Sequence, residues 1–151
     1  GMGVFLAAFK RCFPTWNVYG VEPTKGVAEL ANSHGMTIYK KYLEPDTFKN
    51  RTFDLITSIH VLEHTEDPLS HINTLKAYLG ADAYLYIETP AVEDIGFLPP
   101  SHDRFMCQHD VIFSSNVMSE LLARAGLEVV FQDVFLSRRG RNNSRFLAKL
   151  G

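Results

Sequence analysis

The sequence predicts an α/β protein with a mainly parallel sheet, and two features carry that prediction. Short β-prone runs alternate along the chain with segments whose apolar side chains recur at helical spacing. The last two β-prone runs are separated only by a polar turn that contains Gly140. A turn of that length is too short for a helical crossover, so these two strands should form an antiparallel hairpin at one end of the sheet.

The first third of the chain is predicted to hold two helices and two strands. Residues 4–11 are apolar and end in Lys10 and Arg11, as the last turn of a helix often does. Residues 17–21 form a β-prone run, which Pro23 must end. Residues 24–34 have helical spacing with Gly35 as a stop, and residues 36–39 form a second short strand.

The middle of the chain predicts two buried strands with a helix between them. Phe53–Ile59 is strongly apolar and follows a polar turn. Pro68 suits the first turn of a helix, which we expect to run to residue 79 and to stop at Gly80. Residues 83–87 then read as a buried strand.

A long irregular stretch, residues 91–112, separates this part from the last three elements. Ser114 or Ser115 can cap a helix that runs to residue 125 and is closed by Gly126. Leu127–Leu136 and residues 144–150 are the two strands of the hairpin.

Length and charge limit the classes of function. A chain of 151 residues suits a single domain, 1–151. Its 15 Lys and Arg against 17 Asp and Glu give no general attraction for nucleic acid. Its apolar runs are too short to cross a bilayer, so we expect no membrane partner. Cys12 and Cys107 lack CxxC spacing, which fits a reducing, cytoplasmic compartment.

The run His60-Val61-Leu62-Glu63-His64 spells H-x-x-E-H, a signature of zinc proteases in which both histidines share one face of a helix. Its context disfavours that interpretation. The run follows directly from a buried strand, and Pro68 interrupts any helix shortly after it. We therefore predict no metal site.

Ligands of parallel sheets bind beyond the carboxyl ends of the strands. Glu22 ends a strand there, and a carboxylate can accept two hydroxyl hydrogen bonds from a ribose. Taken alone, a glutamate at a strand end is more often a solvated surface residue.

The run FDLITSIHVLEHTEDPLSHI, followed by AYLYIETP, resembles the class I S-adenosylmethionine (SAM)-dependent methyltransferases, and within them a bacterial branch that acts on small molecules. The resemblance implies a Rossmann-like sheet with helices on both faces, SAM as cofactor and a small-molecule acceptor. It places Gly3 at the last glycine of the cofactor loop, Glu22 with Pro23 at the ribose, Tyr42 and Leu43 at the adenine, and Ile59 and His60 beside the methionine part.

A second, narrower match lies in residues 103–114, which resemble a segment of sugar C-methyltransferases. The resemblance makes His109 a general base, and His102 could line the acceptor pocket. Met106, Cys107 and Gln108 stand where that group has Tyr, His and Glu, so O-methylation or another small acceptor stays open beside C-methylation. A sugar or a nucleotide-sugar is the acceptor that this match suggests. His109 could equally serve only to anchor its loop.

In the family the first strand lies centrally in the sheet, and it and the earlier glycines have no counterpart before Gly3. Three outcomes could account for the missing first strand. The flanking strands could pair directly, a homodimer could supply the pairing, or the chain could be truncated at its N-terminus, and we favour truncation. The main hypothesis is a SAM-dependent methyltransferase. The alternative is a degenerate methyltransferase-like module that does not bind the cofactor.

Overall fold

A computed structural model describes residues 1–93, 95–101, 111–138 and 140–151. It divides into two compact units, Gly1–Lys49 and Asn50–Gly151, which are described separately. The α/β class and the C-terminal antiparallel hairpin that the sequence predicts are confirmed. The strands fall into two sheets, one in each unit.

The first unit alternates helix and strand. It contains α1 (Val4–Cys12), β1 (Tyr19–Val21), α2 (Lys25–Ser33) and β2 (Thr37–Tyr39). β1 and β2 are parallel and in register from Tyr19 opposite Thr37 to Val21 opposite Tyr39. All four elements occur where the sequence predicts them, with ends that differ by one or two residues.

Small and aliphatic side chains form the core of this unit. Ala28, Ala31 and Ile38 are buried, and Leu6 and Met36 pack against them. A Cβ atom on Gly20 would lie 2.9 Å from Leu6 Cδ1 and 2.6 Å from Ile38 Cδ1. Any larger residue at this position would make the ends of the Leu6 and Ile38 side chains shift, so glycine suits the packing here.

The second unit is a four-stranded sheet with two helices. Its elements are β3 (Phe53–Ile59), α3 (Pro68–Lys76), β4 (Leu79–Pro90), α4 (Ser115–Arg124), β5 (Leu127–Leu136) and β6 (Asn142–Leu150), with short 3₁₀ turns at Leu62–His64 and Ile95–Phe97. The strand order is β3-β4-β6-β5. β4 is parallel to β3 and antiparallel to β6, and the β5–β6 hairpin closes one end of the sheet.

Alternation of side chains gives this sheet one buried face. Leu85, Ile87 and Thr89 of β4 are buried, as are Phe146 and Ala148 of β6. The residues between them, among them Tyr86 and Glu88, point to the opposite face because side chains alternate along a strand. The buried face and the apolar sides of the helices supply the core, which includes Ile72, Leu75, Met118 and Leu122.

The sequence prediction is wrong at the end of α3. The helix ends at Lys76 rather than at residue 79, and Gly80 lies inside β4 rather than at the helix stop. β4 begins early because Leu79 pairs with Phe53, which extends the β3–β4 ladder beyond the apolar run 83–87. Within the described part of the chain, no helix is long and apolar enough to cross a membrane.

The cap of α4 supports a test of stability. Ser114 accepts a hydrogen bond from the Val117 amide at 3.3 Å. We expect Ser114→Ala to lower the free energy of unfolding by about 1 kcal/mol, because the first turn loses a partner for that amide. Ser114→Asp, which keeps an acceptor, should leave it nearly unchanged. Urea unfolding of the three proteins measures the difference, and equal loss in both variants would contradict a capping role.

Candidate functional site

Gly3 lies at the N-cap of α1 with φ of 75°, in the left-handed region that favours glycine. A Cβ atom there would lie 3.3 Å from side-chain atoms of Ala31 and of Met36. Glycine is thus required by the backbone conformation and by close packing. That requirement holds whether or not the same residue contacts a cofactor.

Glu22 follows β1 directly, at the carboxyl end of the strand, and its side chain is 13% exposed. Its Oε1 accepts a hydrogen bond from the Thr24 amide at 2.7 Å, and its Oε2 is bound by the amino group of Gly1. Burial alone would raise the pKa of this carboxyl. The hydrogen bonds from the amino group and from Thr24 outweigh it, so the pKa lies below its usual range.

The other predicted residues of the first unit are accessible. Tyr42 is 75% exposed and lies after β2. Leu43 is half-buried, and Pro23 is exposed next to Glu22. An exposed aromatic ring and a strand-end carboxylate are groups that a nucleoside can stack on and hydrogen-bond to.

In the second unit, Ile59 ends β3 and His60 leaves it. Ile59 lies opposite Glu88 in the parallel ladder, and the His60 amide donates to the Glu88 carbonyl at 2.9 Å. The backbone of His60 has φ of 52°, the left-handed region that is strained for a residue with a side chain. Strain of this kind is maintained only where surrounding contacts hold it.

Those contacts come from three polar side chains on different elements. Nδ1 of His60 lies 3.1 Å from Oε1 of Glu63, and Nε2 lies 3.3 Å from Oε1 of Glu88. Asn143 donates from Nδ2 to the same oxygen of Glu88 at 3.0 Å and lies 3.3 Å from the imidazole. We call His60, Glu63, Glu88 and Asn143 the His60 cluster.

The two carboxylates change the electrostatics of the ring. Their hydrogen bonds, first from Glu63 and then from Glu88, raise the pKa of His60 to about 9 against an ordinary 6.5. His60 in turn holds the pKa of Glu88 below its usual range, with help from Tyr86, whose hydroxyl donates to Oε2 of Glu88 at 3.0 Å. At neutral pH the ring is therefore an imidazolium that donates from both nitrogens.

The H-x-x-E-H run does not have the geometry of a zinc protease. His60 lies outside any helix, and His64 ends a single 3₁₀ turn, Leu62–His64, so the two rings do not share a helical face. Across the described ranges, no group of three or more His, Cys, Asp or Glu is arranged to hold a metal ion.

The predicted acceptor residues His109 and His102 lie outside the described residues. Glu88 and Asn143 belong to the site but to none of the motifs recognised in the sequence, although Glu88 has a local signal. It is a charged residue near the carboxyl end of the otherwise apolar strand YLYIETP, where an acid has no packing role. Asn143 carries no local signal, because its contacts are with residues far away in the sequence.

The raised pKa of His60 predicts how stability depends on pH. The protonated ring contributes stability that is fully present below pH 6.5 and is lost as pH rises through about 9. An NMR titration should therefore give His60 a midpoint near 9. Glu63→Gln and Glu88→Gln should each lower that midpoint, because each removes one carboxylate.

His71 is the internal control for this titration, because burial lowers the pKa of its ring below 6.5. The two histidines should therefore move in opposite directions from the ordinary value. Assignment of the resonance comes from His60→Asn. A midpoint for His60 near 6.5 would show that the ring does not bridge two carboxylates in solution.

Sequence comparison with known proteins gives the same family along most of the chain. Residues 1–132 match the family model described as "Methyltransferase domain". A ubiquinone biosynthesis O-methyltransferase of Actinobacillus pleuropneumoniae is 35% identical over 59% of this chain and 42% of its own length. One of Haemophilus ducreyi is 36% identical over 48% of this chain and 35% of its own length. The chain thus spans about two fifths of these curated relatives.

Solved structures agree on the fold. An S-adenosylmethionine-dependent methyltransferase of Clostridium acetobutylicum superposes with a TM-score of 0.71 at 12% identity, over 95% of this chain and 79% of that one. A SAM-dependent methyltransferase of Thermotoga maritima, described as a possible histamine N-methyltransferase, gives 0.78 at 18% identity, over 100% and 78%. With a family model that matches residues 1–132 and this shared fold, the chain belongs to the methyltransferase domain family.

Proposed function

We propose that the protein is a SAM-dependent methyltransferase that acts on a small molecule. The observation that carries the proposal is the strand-end carboxylate of Glu22 in a chain that matches the methyltransferase domain family. When bound, SAM supplies a methyl group already activated on a sulfonium. The protein then has to bind the cofactor, align the acceptor and take up a proton.

The residues of the first unit suit the nucleoside part of SAM. The carboxylate of Glu22 accepts a hydrogen bond from the Thr24 amide at 2.7 Å, and a carboxylate can accept further hydrogen bonds from other donors. A ribose hydroxyl is a donor of the same kind, and the exposed ring of Tyr42 can stack on an adenine. We assign Gly3, Pro23 and Leu43 to the surroundings of the same nucleoside, and Ile59 with His60 to the methionine part.

For the acceptor, we propose a hydroxyl-bearing small molecule, with a sugar or a nucleotide-sugar as the specific case. Similarity to ubiquinone biosynthesis O-methyltransferases supports transfer to oxygen. His109 is assigned the role of general base, because an imidazole titrates near neutral pH, and His102 is placed in the acceptor pocket.

Glu22 offers a direct test of cofactor binding. We expect S-adenosylhomocysteine (SAH) to bind the chain, and Glu22→Ala to weaken the affinity about tenfold or more, because a hydrogen bond to a charged group contributes roughly 1.5–3 kcal/mol. Isothermal titration calorimetry measures both affinities.

Glu29→Ala is the matched control, since Glu29 is 51% exposed and pairs with Lys40 at the surface of the same unit. Its SAH affinity should equal that of the unchanged chain. Urea unfolding shows whether Glu22→Ala still folds. A chain that does not bind SAH would contradict the proposal and favour the alternative of a methyltransferase-like module without cofactor.

The assignment of His109 predicts a separation of binding from turnover. His109→Asn should leave the SAH affinity within about twofold and lower kcat by about 100-fold, the lower end of what a positioned base contributes. Calorimetry measures the affinity, and a methyl-transfer assay over a panel of sugars and nucleotide-sugars measures kcat. Unchanged kcat would contradict the role of base and leave His109 as a loop anchor.

Three further expectations stay predictions: cytoplasmic location, independence of nucleic acid and membranes, and a homodimer. Light scattering on the purified protein tests the dimer.

A further inference from the structure

The His60 cluster has hydrogen-bonding capacity that its own contacts do not use. Oε2 of Glu63 has no hydrogen-bond partner among the described residues, although the side chain is only 1% exposed. Among the described residues, Oε2 of Glu88 accepts one hydrogen bond, from Tyr86, whereas a carboxylate oxygen can accept two. The Glu88 side chain is 15% exposed and that of Glu63 is 1% exposed, so Glu88 is the more accessible of the two carboxylates. The cluster can therefore accept a further hydrogen bond from outside.

The charge of the cluster restricts what can bind. Among the described residues, one imidazolium faces two carboxylates, which leaves an excess of negative charge. Arg145 is opposite Glu88 in the β4–β6 register and attracts it, but Arg145 also forms an ion pair of 2.8 Å with Asp133, so the described carboxylates still outnumber the cations. A phosphate or carboxylate placed beside Glu88 would meet net repulsion, while a hydroxyl donates a hydrogen bond without that penalty.

We propose that Glu88 binds the acceptor and that His60 positions Glu88. The group that Glu88 binds is an uncharged hydroxyl rather than an anion. The proposal rests on the proposed methyl-transfer function and deepens it by naming the class of acceptor group at this strand end. Any phosphate of the acceptor has to lie away from the His60 cluster.

His60 positions Glu88 through geometry. The imidazolium and Asn143 both bind Oε1 of Glu88, which fixes the carboxylate and leaves Oε2 as the oxygen with a free lone pair. When the ring of His60 is protonated, both of its nitrogens donate to carboxylates and no lone pair remains to take a proton. His60 is a positioning residue.

The test uses a pair of probes that differ by one anionic group, catechol and 3,4-dihydroxybenzoate. Each is titrated into the chain saturated with SAH at pH 7, and backbone amide shifts in β4 give the two dissociation constants. We expect catechol to bind more tightly than 3,4-dihydroxybenzoate. Glu88→Gln should weaken catechol about tenfold, as expected for a lost hydrogen bond to a charged group.

Two variants should change the discrimination between the probes in opposite directions. Glu88→Gln removes a negative charge, so the ratio of the dissociation constants, anion over neutral, should fall. His60→Asn removes the cation but tolerates the left-handed backbone, so the ratio should rise. A merely structural role for either residue would not give opposite signs.

Two more variants guard against misfolding and general charge effects. Glu88→Asp keeps the charge but shortens the side chain by one methylene. The affinity for catechol should therefore fall, while the ratio of the two dissociation constants stays the same. Glu128→Gln removes a carboxylate from β5 that pairs with Lys149 at 3.3 Å, and it should change neither constant. Urea unfolding confirms that each variant folds.

Three results would overturn the inference. The first is equal or tighter binding of 3,4-dihydroxybenzoate by the SAH-loaded chain, and the second is that neither probe binds. Both leave the proposed function intact, because SAH is bound in those measurements. The third is failure of the chain to bind SAH, which contradicts the proposed function and this inference together.

Discussion

The His60 cluster depends on the parallel register of β3 (Phe53–Ile59) against β4 (Leu79–Pro90). This register sets Ile59 opposite Glu88 and joins the His60 amide to the Glu88 carbonyl at 2.9 Å. A slip of one residue along β4 would turn Glu88 to the core and Thr89 outward. The buried alternation of Leu85 and Ile87 prevents that slip, so the apolar core fixes where the carboxylate lies.

The His60 cluster also explains how the buried carboxylate of Glu63 and the strained backbone of His60 can occur together. Burial of the Glu63 carboxylate costs several kcal/mol, and the protonated ring of His60 offsets part of that cost through a hydrogen bond of 3.1 Å. The left-handed backbone of His60 costs about 1 kcal/mol or more. This backbone conformation places the ring between Glu63 and Glu88. The strained backbone and the buried carboxylate are therefore retained together, because the ring stabilises Glu63 only from this position.

Periodicity and turn residues predicted the elements whose signals are local. Phe53–Ile59 and Leu127–Leu136 have the predicted bounds, and Ser114 caps α4 (Ser115–Arg124) as expected. Gly80 was misread because its neighbours resemble a turn, whereas the pairing of Leu79 with Phe53 makes them part of a strand. Local propensity cannot predict that pairing, because the two residues are distant in the sequence.

The candidate site also has a part that local sequence signals predict and a part that depends on contacts between distant strands. The resemblance to methyltransferases pointed to Glu22 and His60 through motifs that are contiguous in the sequence. It could not find the bridge from His60 to Glu88 and Asn143, because that bridge exists only once β4 lies between β3 and β6 (Asn142–Leu150). Contacts between distant strands are decided by topology and register.

The hydrogen bonds of the His60 cluster also determine which groups can take a proton from an acceptor. His60, with its pKa raised to about 9, is mostly protonated at neutral pH and is therefore a poor base there. The pKa of Glu88 is held below its usual range, which keeps this carboxylate ionised and makes it a weak base. In the proposed reaction, an acceptor hydroxyl that Glu88 binds needs a different group to remove its proton. That is the role proposed for His109.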